Sequence, residues 1–445
     1  MPDTSPIIVL FRNDLRITDN PALFEASRTG RPVIALYVLD DDAPGEWKPG
    51  GAARWWLHHS LAELEQRISD IGGKLVLRQG ATVDVLDDVL KESGADSVHW
   101  NRCYEPYAIA RDTEIKAAFW HACRDKGDPA KPLVAPKKIC APSKDIRSDT
   151  LDDPALLPTK PDWASGLRDR WEPGERGAMA RLDAFLDVID DYNDGRNFPA
   201  LAATSNLSAY LHTGDISPRQ IWHKTLKAHG WTKASEAFLK EIVWREFAYH
   251  VFYYLPELPT QPMYEKFADF PWQDNNEALK AWQQGRTGYP MVDAGMRELW
   301  QTGHMHNRVR MITASFLVKH LLLPWQQGEA WFWDTLVDAD LAVNAFSWQW
   351  VAGCGADAAP YFRIFNPITQ GSKFDPDGEY IRAYVPEIAA LPDKHLFTPW
   401  EAPDNVLHDA DVRLGETYPR PIIDHKKARE RALSAFKALP SADDT

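Results

Sequence analysis

Eight prolines crowd between residues 129 and 173, and the hydrophobic rhythm of the chain differs on the two sides of them. Before this break, short β-branched runs (Ile7–Phe11, Val33–Leu39, residues 74–78, Ser97–Trp100) alternate with helical patterns such as Leu57, Leu61, Leu64 and Ile68. Strand runs separated by helix-spaced apolar residues predict βαβ units and a parallel sheet. We expect a five-stranded, Rossmann-like sheet, with any ligand beyond the carboxyl ends of its strands. After the break no two-residue alternation is sustained, and residues 236–255, 289–301, 307–323 and 331–337 read as aromatic-rich helices. The expected organisation is an α/β domain over 1–128, a connector over 129–174, an all-α domain over 175–432 and a short tail over 433–445 with an acidic end at 441–445.

Composition narrows the function classes. Fifty basic against 64 acidic residues give a net charge of −14, which argues against a non-specific nucleic-acid coat. Contact with a polyanion then needs a local basic patch. No apolar run approaches the ~20 residues of a membrane span. The opening residues are not basic and lead into a strand-like run, so a cytoplasmic protein is expected. Cys103, Cys123, Cys140 and Cys354 form no C-x-x-C pair, which predicts reduced, mostly buried thiols. There is no G-x-G-x-x-G after the first strand, no phosphate-binding lysine loop, no H-E-x-x-H and no G-x-S-x-G. His304-x-His306 lacks a third ligand nearby, so no metal site is expected.

Three segments of the helical half carry chemistry. Helical spacing puts Glu241, Trp244 and Arg245 on one face, a carboxylate, a flat indole and a guanidinium; an amphipathic helix with a surface ion pair would look the same. In Met305-His306-Asn307-Arg308-Val309-Arg310-Met311 it puts Asn307, Arg310 and Met311 together and turns Arg308 elsewhere. Two arginines so close can serve different surfaces, one against a carboxylate and one toward phosphate; a solvated basic helix is the plainer alternative. Asp338, Asp340, Asn344, Trp348 and Trp350 follow one another closely and could hold a planar heteroaromatic ligand, although core packing explains many of the 19 tryptophans.

Together these segments resemble the photolyase/cryptochrome flavoproteins. Phe11-Arg12-Asn13-Asp14-Leu15-Arg16 with Asp19-Asn20 is similar to that family's opening strand and turn. Thr204-Ser205-Asn206-Leu207-Ser208 with Gly214-Asp215-Ile216-Ser217-Pro218-Arg219 resembles its phosphate loop and the helix after it. Ala358-Ala359-Pro360-Tyr361-Phe362-Arg363-Ile364-Phe365-Asn366-Pro367 is among its most distinctive runs. The resemblance implies an antenna domain followed by a helical domain that holds FAD, active as FADH−, in a bent conformation. By position, Tyr192, Thr204, Ser205, Asn206, Leu207 and Ser208 would grip the diphosphate and ribose. Glu241, Arg245, Asn307, Arg310, Asp338, Asp340 and Asn344 would surround the rest of the cofactor, with Arg310 paired to Asp338 and Asn344 facing flavin N5. Trp348, Trp325 and Trp272 would form an electron wire to the surface.

The implied reaction is light-driven opening of cyclobutane pyrimidine dimers in DNA. Trp244 and Trp350 would sandwich the flipped dimer, Glu241 would hydrogen-bond it, and Met311 would touch it from the flavin side, while Arg196, Arg308 and Arg363 would meet the flanking phosphates. The (6-4) branch carries histidine where this chain has Asn307 and Met311, which favours cyclobutane dimers. A cryptochrome-type photoreceptor is the main alternative. Around Tyr104-Glu105-Pro106 the Asn-Glu pair that holds folate in some relatives is missing, whereas Gly51-Ala52-Ala53-Arg54-Trp55-Trp56-Leu57 is similar to the plant-cryptochrome branch. The implied antenna is methenyltetrahydrofolate, alternatively 8-hydroxydeazaflavin. A monomer is expected, with no membrane partner.

Overall fold

A computed structural model describes residues 5–118, 131–356 and 362–440. Cys123, the run Ala358-Ala359-Pro360-Tyr361 and the acidic end 441–445 lie outside these residues. The chain divides into two compact units, residues 1–190 with 205–246, and residues 191–204 with 247–445.

The first unit is built on the parallel strands β1 (Ile7–Phe11), β2 (Val33–Leu39), β3 (Leu75–Gln79) and β4 (Ser97–Trp100), in the order β3-β2-β1-β4. Alternation along β1 serves two cores. Ile7, Val9 and Phe11 pack with Leu57, Leu61 and Leu64 on one side, and Ile8 and Leu10 pack with Leu86 and Val89 on the other. Helices α1 (Pro21–Arg28), α2 (Gly51–Asp70), α3 (Thr82–Ser93) and α4 (Pro106–Ala118) supply those layers. Asn20 caps α1 by accepting the Leu23 N–H, and Pro21 takes the first turn, where no N–H is needed.

The expected fifth strand is a correction: the sheet has four strands among the described residues. The stretch after α4 runs beside the sheet but makes only an isolated bridge, Pro32 to Cys140, with the Val33 N–H donating to Cys140 O. Pro132, Pro136 and Pro142 offer no backbone donor, so a ladder there cannot propagate. Farther on, the Leu77 N–H donates to Ser148 Oγ and the Asp149 N–H to Leu77 O, which covers the outer edge of β3.

Residues 205–246 are fastened to this layer through two buried carboxylates. Asp19 accepts from Ser217 Oγ and from Arg219. Asp215 accepts from Trp56 Nε1 at 2.9 Å, Ser60 Oγ at 3.0 Å, Thr213 Oγ1 at 2.9 Å and the Gly174 N–H at 3.3 Å. Between them Gly214, at φ +74°, has no alternative residue: a Cβ there would lie 2.1 Å from Asn13 O.

All four of Asp215's partners are neutral, and its burial pushes the carboxyl up to about 7. A carboxyl raised in the fold binds its proton more tightly there than in the unfolded chain. Its contribution to stability is therefore complete at low pH and is lost as pH rises from about 4 toward 7. Asp215→Asn should flatten the pH dependence of the urea midpoint across that window, removing a slope of up to ~1.4 kcal/mol per pH unit. Identical slopes in the two proteins would show that Asp215 is ionised throughout.

The described residues of the second unit are helices and turns around one large core, with a single isolated bridge between Leu414 and Tyr418. The helix expected over 307–323 is α-helical only over Asn307–Ser315. It then widens to a π turn over Phe316–His320, closed by the Leu321 N–H donating to Phe316 O, and ends at Leu322 with φ +54°. The helix expected from 331 starts earlier, over Trp325–Thr335, directly after Pro324. Cys354 is buried and Cys103 half-buried, but Cys140 is exposed, contrary to the expectation of mostly buried thiols. No helix among the described residues is long and apolar enough to cross a membrane.

Candidate functional site

The helix Asn307–Ser315 separates its two arginines as the spacing predicts. His306 caps it, its Nδ1 accepting the Arg308 N–H, and burial lowers the imidazole to about 4, so it is neutral. Arg310 Nη2 donates to both oxygens of Asp338, at 3.0 and 2.9 Å, and its Nε donates to Met305 O at 2.7 Å. Arg308 leaves by the other side. Its Nη2 donates to Asn197 Oδ1 at 2.6 Å, and its guanidinium lies 4.4 Å from the centre of the Phe374 ring.

Arg308 is pushed below the usual guanidinium range by burial and then by the charges of Arg363 and Arg196. Two like charges thus bear on Arg308 in a chain of net charge −14. Arg196 rests over the Tyr192 ring at 5.0 Å and Arg363 over Phe365 at 4.8 Å. Lys319, buried in the π turn, donates from Nζ to Arg363 O at 2.5 Å and so fixes the backbone that carries Arg363. Such a cluster is costly without a counter-anion and suits polyphosphate.

Asp340 caps the helix Leu341–Ala352, accepting the Val343 N–H at 3.1 Å, and its other oxygen accepts from Tyr249 Oη at 2.6 Å. One turn on, Asn344 donates from Nδ2 to Glu329 O at 3.2 Å. With Nδ2 so held, Oδ1 is the atom free to accept from a ring N–H. Trp348 is buried in the same helix and meets Phe332 edge-on at 5.0 Å and Trp282 at 6.3 Å. Gly328 lets the indole in: a Cβ there would sit 2.1 Å from Trp348 Cη2. Trp325 is buried and Trp272 half-buried against Phe270, and all three indoles belong to the core of the second unit. Trp350 and Met311 are half-buried and Asn307 is exposed.

The part of the long helix Lys233–Tyr254 that belongs to the first unit carries Glu241 and Arg245 half-buried and Trp244 exposed, at 45%. Arg245 Nη2 donates to Leu211 O at 3.3 Å, which ties this helix to the short one over Ser208–Thr213. That short helix begins at Leu207, whose side chain cannot cap it, immediately after Asn206 at φ +52°. From Thr204 to Ser208 the chain presents three hydroxyls and an amide and no carboxylate, a donor set fitted to a dianionic diphosphate.

Sequence reasoning overlooked Tyr249, Asn197, Trp282 and Glu329. Tyr249 was legible, since it extends the Glu241, Arg245 stripe by one further turn. The others arrive from distant segments, and no local spacing marks them.

Comparison with known proteins finds two family models. Residues 7–148 match the DNA photolyase model, and residues 238–438 match the FAD binding domain of DNA photolyase. A deoxyribodipyrimidine photo-lyase of Agrobacterium fabrum is 48% identical, covering 98% of each chain. Cryptochrome-1 of Arabidopsis thaliana is 38% identical over 98% of this chain and 71% of that protein. The crystal structure of a bacterial class III photolyase from Agrobacterium tumefaciens superposes with a TM-score of 0.93 at 48% identity, covering 98% of each chain.

Proposed function

Because the chain belongs to the DNA photolyase family, we propose that it uses light to reverse cyclobutane pyrimidine dimers in DNA, as a deoxyribodipyrimidine photo-lyase. The observation that carries the reading within this chain is the placing of Arg196 and Arg363 close enough for their charges to bear on the half-buried Arg308, a basic cluster on a strongly acidic protein.

FAD fits the residues present. Tyr192 and the stretch Thr204, Ser205, Asn206, Leu207 and Ser208 would hold its diphosphate and ribose, while Asn307, Arg310, Asp338, Asp340 and Asn344, together with Glu241 and Arg245, would line its ring system. When bound as FADH−, the flavin supplies an excited electron to the dimer and regains it once the two carbon–carbon bonds between the pyrimidines have opened. Everything else falls to the protein. A dimer within a duplex cannot reach a buried ring, so it must be extruded. Trp244 and Trp350 then stack on it, at ~1–3 kcal/mol per base. Glu241 orients its carbonyl edge and Met311 limits its approach. Asn344, anchored through Nδ2, would offer its Oδ1 as an acceptor to the flavin ring. Trp348, Trp325 and Trp272 would offer oxidisable rings for charge to move between the bound flavin and the surface.

The α/β half is an antenna domain, and its second chromophore is methenyltetrahydrofolate, with 8-hydroxydeazaflavin as the alternative. Support for the folate lies in the run from Gly51 to Leu57 at the start of α2, which is similar to the plant-cryptochrome branch.

The test is to illuminate the reduced protein with blue light beside oligonucleotides bearing a cyclobutane thymine dimer, a (6-4) product or no lesion. Recovery of thymine ultraviolet absorbance with the first alone is expected, with affinity falling steeply as salt is added. Recovery with none of the three overturns repair in favour of a photoreceptor.

A further inference from the structure

Between Trp348 and Trp350 lies a residue to which the reaction above gives no task. Gln349 is fully buried, and every polar atom of its side chain is used. Nε2 donates to Leu258 O at 2.6 Å and to Gln261 O at 2.7 Å, and Oε1 accepts the Met263 N–H at 2.8 Å. Two carbonyls and one N–H, brought together from one irregular loop, require a group with two donors and an acceptor, which is a primary amide. Asparagine is one methylene shorter, and glutamate would oppose both carbonyls with charge.

The backbone of the same residue organises the other flank. Gln349 O accepts the N–H groups of Gly353, Cys354 and Gly355, at 2.9, 3.1 and 3.1 Å, which folds the chain back at the end of the helix Leu341–Ala352. The two flanks are then joined, because the Tyr264 N–H donates to Cys354 O at 2.9 Å. The loop so fixed ends in two exposed apolar side chains, Met263 at 38% and Tyr264 at 45%. Exposed side chains of this size on a loop held by core hydrogen bonds are preorganised for contact.

We propose that Gln349 is a positioning residue for lesion capture: its buried amide holds loop 258–264 beside the end of the Trp350 helix, so that Met263 and Tyr264 form a fixed apolar lip against which the DNA bearing the dimer docks. The inference rests on the reading that Trp350 is a wall of the lesion site. Gln349 itself touches neither flavin nor DNA; it acts through the loop. The lip adds to affinity for the damaged strand and leaves the photochemical step alone.

The experiment compares Gln349→Leu, Gln349→Glu and the surface double variant Met263→Ala/Tyr264→Ala with the wild-type holoprotein. Binding of thymine-dimer and undamaged oligonucleotides is followed by anisotropy, and repair at saturating lesion under equal photon flux is measured beside FAD content. Each variant should lose about tenfold in affinity for the dimer. FAD content should be unchanged, and repair at saturation should stay within about twofold, so the defect appears in KM and not in kcat. If the Gln349 variants fail to fold, the double variant decides, since it removes only exposed side chains. Wild-type affinity for the dimer in the double variant overturns the proposal, as does a Gln349→Leu protein that folds and binds the dimer normally. A wild-type protein that does not distinguish the dimer from undamaged DNA would instead refute the repair reading on which the proposal stands.

Discussion

Arg310→Leu protein should unfold well before the wild type and purify without the yellow colour of flavin. Asp338, only 5% exposed at its side chain, has both oxygens on Arg310 Nη2. Removing the guanidinium takes from a buried carboxylate the partner that holds both of its oxygens, and breaking comparable pairs costs about 3–5 kcal/mol. The Met305 carbonyl also loses its 2.7 Å donor, just before the helix that carries Asn307. Removing both charges separates the two effects. Arg310→Leu with Asp338→Leu should regain much of the stability, because two apolar groups of similar volume pack where the ion pair lay. It should not regain flavin if the pair is part of the cofactor site. Urea unfolding gives the first quantity and the visible absorbance of the purified protein the second. An Arg310→Leu protein as stable as wild type would mean that Asp338 is solvated and that the pair contributes nothing.

The second large effect concerns light-driven reduction. Trp348→Phe should abolish photoreduction of the bound flavin by an external thiol while leaving repair by chemically reduced protein largely intact. Phenylalanine keeps an aromatic ring against Phe332 and Trp282 but is far harder to oxidise than indole. The site is packed tightly enough that only glycine is tolerated at 328, beneath the indole. The smaller ring therefore leaves a void, and a loss of about 1–3 kcal/mol is expected with it. Flavin spectra under continuous illumination check the first claim, and repair after dithionite reduction checks the second. Loss of both activities in a folded, flavin-loaded variant would assign Trp348 to the repair step itself.

Much of this arrangement was open to inspection in the amino-acid order, for identifiable reasons. The four strands were readable because each is a short β-branched run bounded by turns, and a strand's faces follow from its two-residue period. The divergence of Arg308 from Arg310 was readable because 100° per residue leaves little choice once the helix is granted. The expected fifth strand had no run of its own in the sequence, and the stretch that lies beside the sheet carries prolines, which lack the donors that pairing needs. Gln349 was invisible for a different reason: its partners lie some ninety residues upstream, and nothing local distinguishes a clamped amide from a solvated one. The flavin and lesion residues were named from family resemblance; spacing alone would have left them among several surfaces of similar composition.

The strip that covers β3 has a practical bearing on how this protein can be divided. Leu77 gives its N–H to Ser148 and receives that of Asp149, so the outer row of β3 is closed by residues far beyond the last helix of that layer. A fragment cut at residue 128, where the strand-helix rhythm ends, would leave that row bare, and a bare row of backbone groups pairs readily with a neighbouring molecule. Any attempt to isolate the sheet and its helices as a fragment should therefore retain the proline-rich stretch through Asp149, dispensable though its composition makes it look.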